Sequence, residues 1–461
     1  MKKTRLSRVL GLSDLSILSS ASMAPAYSIA STFGLMVAAA GSGAILSLIV
    51  LTIPITFIAI AFHRLCEDRA DAGSTYAWSR SAFGPRLGAF AAWIVVLSYF
   101  FAAVSAVVPA GSYTLGLLAS FHLVSPALAG EAMPVAVAGS AWVVAASMLL
   151  IGGVKPTARA SGLLLGLEVV ALLVFAVIAM LHAPVAGSQP THIFTLGSGG
   201  YTGFFAAMVL SIWVTDGWEV STYTSEESKG TSRQPGLGGL LGLLLTVALV
   251  LICMAAYTRV ASSAGLANHA VDTLSYVASQ LGGGWRTVVM VVTVLVSTGA
   301  TLWTTQLGIS RGIFSMARDR VVPHALAAVH PDFGTPHVSI LTVNIGVMIV
   351  TLLTGFLPGA NDALQSVINA SSIFLGLTFI LTGLACVVHF RRKGYPITDL
   401  TRIVLPAIGT IAVTILLAVN WQHQGAINQR AAIICLIAGV LFAAVQRLPK
   451  PAVPEISVPA A

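Results

Sequence analysis

YTGFFAAMVLSIWVTDGWEVSTYTSEESKG, residues 201–230, reads as a membrane span that interrupts itself. Asp216 and Glu219 fall inside the apolar run on either side of Gly217, with Trp213 and Trp218 beside them. A carboxylate at the bilayer centre costs about 2.5–3.5 kcal/mol even on a lenient insertion scale. Two carboxylates three residues apart lie near one face of a helix and repel if both ionise. Such a pair requires a cavity, a cation or a shared proton. The other reading, that the pair marks the membrane surface, competes with 225–229, which already supplies a polar end.

A second interrupted run lies nearer the N-terminus. SSASMAPAYSIAS, residues 19–31, has apolar flanks but carries five serines, Tyr27 and Pro25. Pro25 removes one backbone donor and disfavours helical geometry at Ala24. Ser22 and Ser28 can hydrogen-bond the groups that this releases. Lipid cannot, so broken helix at membrane depth is tolerated only where protein encloses it. Taken alone, 19–31 also reads as a proline kink. Paired with 213–219 it reads as half of a central site, because interrupted segments in corresponding positions of two halves point to a transporter binding site.

The whole chain supports a membrane setting. Of its 461 residues 56% are hydrophobic and 9% are Asp, Glu, Lys or Arg, against about a quarter charged in an average soluble domain. The composition predicts an all-α polytopic membrane protein with twelve transmembrane helices, since a span needs about 20 apolar residues. They are expected at 14–38, 42–62, 87–118, 134–152, 160–182, 200–224, 236–258, 287–310, 338–356, 366–390, 402–420 and 430–446. The hydrophilic runs 66–86 and 311–337 are expected to be loops. MKKTRLSR before an apolar run has the look of a signal peptide, but Asp14 interrupts it and hydrophobicity continues past Ala24, so an uncleaved first span is expected.

With both termini placed in the cytoplasm, 21 of the 24 Lys and Arg residues fall in inner loops or tails, leaving Arg259, Arg286 and Arg430 outside. The positive-inside rule therefore supports this orientation and an even span count. It also accounts for the net charge of +8 as topology rather than nucleic-acid affinity. Cys66, Cys253, Cys386 and Cys435 form no CxxC pair, so neither a disulfide framework nor a zinc site is expected. There is no P-loop, HExxH or GxSxG motif.

Four stretches resemble the amino acid–polyamine–organocation (APC) permeases. They are DAGSTYAWSRSAFGPRLGAFAAW (71–93), GVKPTARASGLLLGLEVVALL (153–173), GWEVSTYTSEE (217–227) and SRGIFSMARDRVVPHALAAVHPDFGTP (310–336). The resemblance implies a LeuT-type 5+5 inverted repeat: repeat one at about 14–182, repeat two at about 200–390, and extra helices at about 402–446. A short cytoplasmic tail follows at 447–461. It further implies a secondary transporter of an amino acid or related amine in the cytoplasmic (inner) membrane, working by alternating access. No enzymatic activity and no cofactor are expected beyond a coupling ion, a proton or alternatively sodium. The expected partners are the solute and membrane lipid, with no nucleic acid, in a monomer or homodimer.

Two departures from the family pattern stand out. Relatives that take amino acids usually break the first span at a Gly-x-Gly whose bare amides hold the substrate carboxylate. This chain has no glycine between Gly11 and Gly34. In some proton-coupled members the fifth span carries a lysine where this chain has Glu168; a buried carboxyl can cycle between neutral and charged forms. The candidate substrate-binding residues are Ser22, Met23, Ala24, Pro25, Ala26, Tyr27, Ser28, Tyr99, Trp213, Asp216, Gly217, Glu219, Thr301 and Asn369. Ion coupling is assigned to Glu168, Glu219, Ser297 and Thr298, and no metal site is expected. Trp303 and Ser372 are further polar candidates. Glu168 could instead only brace the scaffold through a polar residue of the eighth span. The carboxylates and tryptophans suggest an alternative cargo, a polyamine or other organic cation. A membrane enzyme using Asp216 and Glu219 as an acid–base pair is the reading from another class.

Overall fold

The computed structural model describes residues 6–188, 195–269, 272–423 and 425–446, less the side chains of 361–363, 365, 366, 369, 423 and 427. The tail 447–461 and the side chain of Asn369 lie outside the described residues. The first span comprises α1 (Leu12–Met23), α2 (Pro25–Ser28), a π-helical turn over Ile29–Phe33 and α3 (Gly34–Ala40). Then follow α4 (Gly43–Asp68), α5 (Thr75–Phe83), α6 (Pro85–Ser120), α7 (Ala132–Ile151) and α8 (Val154–Leu181). The next span is split into α9 (Gly200–Val214) and α10 (Val220–Tyr223). The rest are α11 (Arg233–Val260), α12 (Ser263–Asn268), α13 (Thr273–Gln280), α14 (Trp285–Arg318), α15 (His337–Thr354), α16 (Ala360–Arg392), α17 (Leu405–His423) and α18 (Ala426–Val445).

Among the described residues, eleven helices are long and apolar enough to cross a membrane. The expected count was twelve. The difference is the span expected at 200–224: α9 has 15 residues, about 22 Å at 1.5 Å per residue, and α10 has only four. Neither crosses a hydrocarbon core of about 30 Å alone. The chain breaks where the carboxylates sit. By contrast α6 runs for 36 residues, about 54 Å, longer than a hydrocarbon core of about 30 Å.

The two hydrophilic runs expected to be loops are partly helical. Residues 75–83 form α5, whose Tyr76, Ala77, Trp78 and Ser79 are buried. Residues 311–318 continue α14, with Arg311 fully buried. In both, small and aromatic residues between the charges give the helix a side to bury, which a count of polar residues overlooks.

Burial separates centre from periphery. The apolar window of the first span is 83% buried, against 28% for α8 and 17% for the last span. On α8, Leu163, Leu167, Val170, Val174, Val177 and Leu181 are exposed, a stripe with the three- and four-residue steps of one helix face. Glu168, Leu172, Phe175 and Ala179 lie on the opposite, buried face. The same periodicity that presents leucines outward therefore turns the carboxylate of Glu168 inward.

Candidate functional site

The first break is built from Ala24 and Pro25. Ala24 takes a left-handed conformation (φ 47°, ψ 70°), ending α1 at Met23. An L-residue there costs roughly 1–2 kcal/mol. Pro25 restarts the helix at the one position where its missing N–H is not needed. Side chains take up the released groups. Ser28 Oγ donates to the Met23 carbonyl at 2.8 Å, and Thr301 Oγ1 donates to the Ser22 carbonyl at 2.5 Å.

The amides opening the new helix are also taken. Pro25 has none. Ala26 N–H donates to Glu168 Oε1 at 2.6 Å, and Tyr27 N–H donates to Ser297 Oγ at 3.2 Å. Ser297 Oγ in turn donates to the same Glu168 oxygen at 2.6 Å. Glu168 thus caps the half-helix from a different span, while its Oε2 has no protein partner. A helix N-terminus favours a nearby anion, and here the chain supplies one. The bracing contact to the eighth span and the contact to the break belong to the same oxygen.

The second break turns on Gly217, at φ +97°. A Cβ there would sit 2.8–2.9 Å from Ser22 Oγ, C and O, so both the dihedral and the approach of the first break require glycine. Ser19 Oγ donates to the Trp218 carbonyl at 2.7 Å, further tying the breaks together. The two acids part ways. Asp216 borders the open space between the breaks. Glu219 is fully buried, its Oε1 accepting from Tyr99 Oη at 2.9 Å. Trp218 is buried against Phe62 and Phe379, with ring centroids 5.0 and 5.7 Å away, so it is a packing residue with no lipid face.

Between the breaks lies a narrow, partly open cavity of about 20 Å³, room for about one water-sized molecule as the helices stand here. Of the residues singled out in the sequence, Ser22, Met23, Ala24, Tyr27, Ser28, Tyr99, Trp213, Asp216, Gly217 and Thr301 line it. Pro25, Ala26 and Glu219 do not border it, and Glu168 and Ser297 stand behind the first break. Thr298 donates to the Val294 carbonyl of its own helix, and Ser372 does the same to Ile368 at 2.9 Å. Trp303 Nε1 donates to Ser161 Oγ at 2.9 Å, joining α14 to α8. Tyr27 and Trp213 meet edge to face at 6.5 Å, and Tyr27 Oη donates to the Ser105 carbonyl at 3.1 Å.

Ser98, Ala102, Ala106 and Thr305 complete the wall. They were not among the candidates, yet Ala102 and Ala106 follow Ser98 at four-residue steps and Thr305 follows Thr301 by four. One helical turn from Tyr99 and Thr301 would have reached Ala102 and Thr305, and a second turn Ala106.

At the end of the bundle carrying α5, charged groups pair across helices. Arg311 Nη2 and Nε donate to Glu227 Oε1 and Oε2 at 3.0 and 3.1 Å, both side chains fully buried. Arg318 donates to both Glu226 oxygens at 2.9 Å and lies 3.4 Å from Asp71. Arg80 pairs with Asp319, which also accepts from Tyr76 Oη at 2.9 Å. Burial, and then the Asp319 carboxylate, raise the Tyr76 phenol above its ordinary range, so it remains a donor. The N-terminal segment is stitched in by Val9 N–H to the Glu227 carbonyl and Lys229 N–H to the Leu10 carbonyl, both 2.8 Å. Of the acids at the end of α4 and just beyond it, Asp71 joins this layer. Glu67 pairs with Arg64 and Arg233, and Asp68 with His389 and Lys393.

The cavity offers Asp216, hydroxyls and aromatic rings. Glu219 does not border the cavity itself, although it lies within electrostatic reach of Asp216 and bonds to Tyr99, which does. A family model described as "Amino acid permease" matches residues 10–443. The chain is similar to a branched-chain amino acid permease of Bacillus subtilis (strain 168), 26% identical over 364 residues, covering 77% of this chain and 75% of that protein. It is also similar to the methylthioribose transporter of the same strain, 23% identical over 354 residues, covering 73% and 72%. Cationic amino acid transporter 5 of Arabidopsis thaliana is 26% identical over 249 residues, covering 52% of this chain and 41% of that one.

Proposed function

Because this chain belongs to the amino acid permease family, whose members are transporters and not enzymes, we propose that it moves an amino acid or related amine across the cytoplasmic membrane by alternating access. The observation that carries the reading is the cavity enclosed where two interrupted helices touch, at Ser22 and Gly217. Broken helix at membrane depth is tolerated where it lines such a cavity, and it gives the helices that hold a solute a hinge. The breaks in the first and sixth spans fit two five-span repeats in inverted orientation, followed by two further helices. With both termini in the cytoplasm, the layer of Arg311, Glu227, Arg318, Glu226 and Asp71 is the inner gate, closed in this structure.

Glu168 is the coupling residue in this proposal, and the proton is the coupling ion. Its carboxylate bridges α8, the first break and α14 through Ala26 and Ser297. Protonation would remove the charge that caps the half-helix and loosen that three-way junction. The relatives named for branched-chain amino acids, cationic amino acids and methylthioribose leave the solute open across a wide range.

Counterflow into proteoliposomes tests the transport reading, with a panel of amino acids, amines and neutral solutes. Accumulation under an imposed pH gradient, and none under a sodium gradient, is the expected result. Sodium-driven accumulation would replace the coupling ion; no counterflow with any solute would sink the proposal.

A further inference from the structure

The charge lining the cavity is one-sided. Asp216 is its one ionisable carboxylate, and no Arg, Lys or His borders it. Among the described residues no cation pairs with Asp216. Beside it, the Ser22 hydroxyl is buried, borders the cavity and has no protein partner. The helix ends add to the same sign. α1, twelve residues long, ends at Met23, and α9, fifteen residues long, ends at Val214. Ser22, Met23 and Ala24 at the first end, and Trp213 and Asp216 at the second, line the cavity. A helix C-terminus carries about half a negative charge, so both ends favour a cation.

The usual place for an anionic solute group in such a fold is the N-terminus of a half-helix. Here the half-helix that restarts at Pro25 has its first two amides bound to Glu168 and Ser297. A solute carboxylate entering the cavity would therefore meet no free capping amide in the first break, no basic side chain, and Asp216. A solute with two positive charges would find only one carboxylate at the cavity wall.

Resting on the transport reading above, we infer that the solute this cavity carries is an amine with a single positive charge and no free carboxylate. Its ammonium sits between Asp216 and Ser22 Oγ, and its apolar part lies against Trp213 and Tyr27, where the rings add cation–π attraction. Glu168 takes the part that the carboxylate of a zwitterionic solute would otherwise play. The arrangement selects by charge balance, because a desolvated carboxylate without a partner costs far more than a missing apolar contact.

Matched pairs differing only by the carboxylate test this. Choline against glycine betaine is read by counterflow, because both are permanently charged and do not leak. Isoamylamine against leucine, and 2-phenylethylamine against phenylalanine, are read by ligand-dependent thermal stabilisation of the purified protein, which registers binding to the folded state. In at least one pair the carboxylate-free member should bind or exchange about tenfold or more better, the size expected of one charge-assisted hydrogen bond. Asp216→Asn should erase that preference and Asp216→Glu should restore part of it; the wild-type pairs stand even if a variant misfolds. An exchanged solute that carries a free carboxylate, or that has no positive charge, overturns the inference and leaves the transport reading intact. Failure of every solute to exchange overturns both.

Discussion

Replacing Glu168 separates its role in coupling from its role in holding the first break. Glu168→Gln keeps an oxygen where Oε1 accepts from Ala26 N–H and Ser297 Oγ–H, both at 2.6 Å. Its new NH₂ falls at Oε2, which has no protein partner to clash with. Hydrogen bonds to a charged acceptor contribute about 1.5–3 kcal/mol and neutral ones about 0.5–1.5. Losing the charge across two bonds therefore costs about 2 kcal/mol, partly offset by the lower cost of burying a neutral amide.

Glu168→Ala is harsher. It strips the acceptor from a buried backbone N–H, at about 1–3 kcal/mol, and leaves a void the size of the side chain, with a further penalty of similar order. The melting midpoint of the purified protein should fall in the order wild type, Gln, Ala. In proteoliposomes the Gln variant should retain counterflow and lose accumulation under a pH gradient, because it can no longer take up and release a proton. Persistent proton-driven accumulation in Glu168→Gln would refute the coupling role. An Ala variant as stable as Gln would refute the claim that this carboxylate caps the half-helix.

Three other outcomes follow from the geometry. Arg311→Met should destabilise the protein by about 3–5 kcal/mol by leaving Glu227 charged and alone in a fully buried site; combining it with Glu227→Leu should recover most of the loss, checked by melting midpoints across the double-mutant cycle. Gly217→Ala, at φ +97° and with its Cβ 2.8 Å from Ser22 Oγ, should cost about 1–3 kcal/mol and abolish counterflow, whereas Gly116→Ala on α6, where nothing lies within 4 Å, should be neutral or stabilising by up to about 1 kcal/mol. Tyr99→Phe removes the donor to buried Glu219 and should lower the melting midpoint by the equivalent of about 1–3 kcal/mol, with expression level and midpoint as the readouts.

Much of this molecule was legible in the chain because lipid leaves few options. A 20-residue apolar run has to be a spanning helix, and a carboxylate or proline inside one has to be protected by protein. Those two rules located both breaks and most of the cavity wall. The misses share one cause: they depend on which neighbour a side chain faces. Asp216 and Glu219 sit three residues apart and look equivalent along the chain, but the break at Gly217 sends one to the cavity and the other to Tyr99. The runs 75–83 and 311–318 look hydrophilic, yet their charges are consumed by partners 84 to 247 residues away, such as Arg311 with Glu227 and Arg80 with Asp319, and the helices between those charges stay buried. Sequence separation hides such pairs, and with them the fact that ion pairs join the elements at that end of the bundle.

The absence of glycine in the first break then has a consistent physical meaning. A glycine-rich break leaves amides bare and the backbone free to move, and both properties serve a solute that brings its own anion. Here Ala24 is held in a strained left-handed turn, and the amides beyond it are closed off by a carboxylate from another span. Strain of this kind persists only where surrounding contacts over-determine it, and the contacts doing so are those of Ser28, Thr301, Ser297 and Glu168. All four lie outside α1, and three of them, Thr301, Ser297 and Glu168, lie on other spans. Any change that weakens the Glu168 cap therefore acts on the break itself. That is why the coupling test and the solute test read different things: in the proposal, Glu168 governs whether the break moves, and Asp216 governs what it moves.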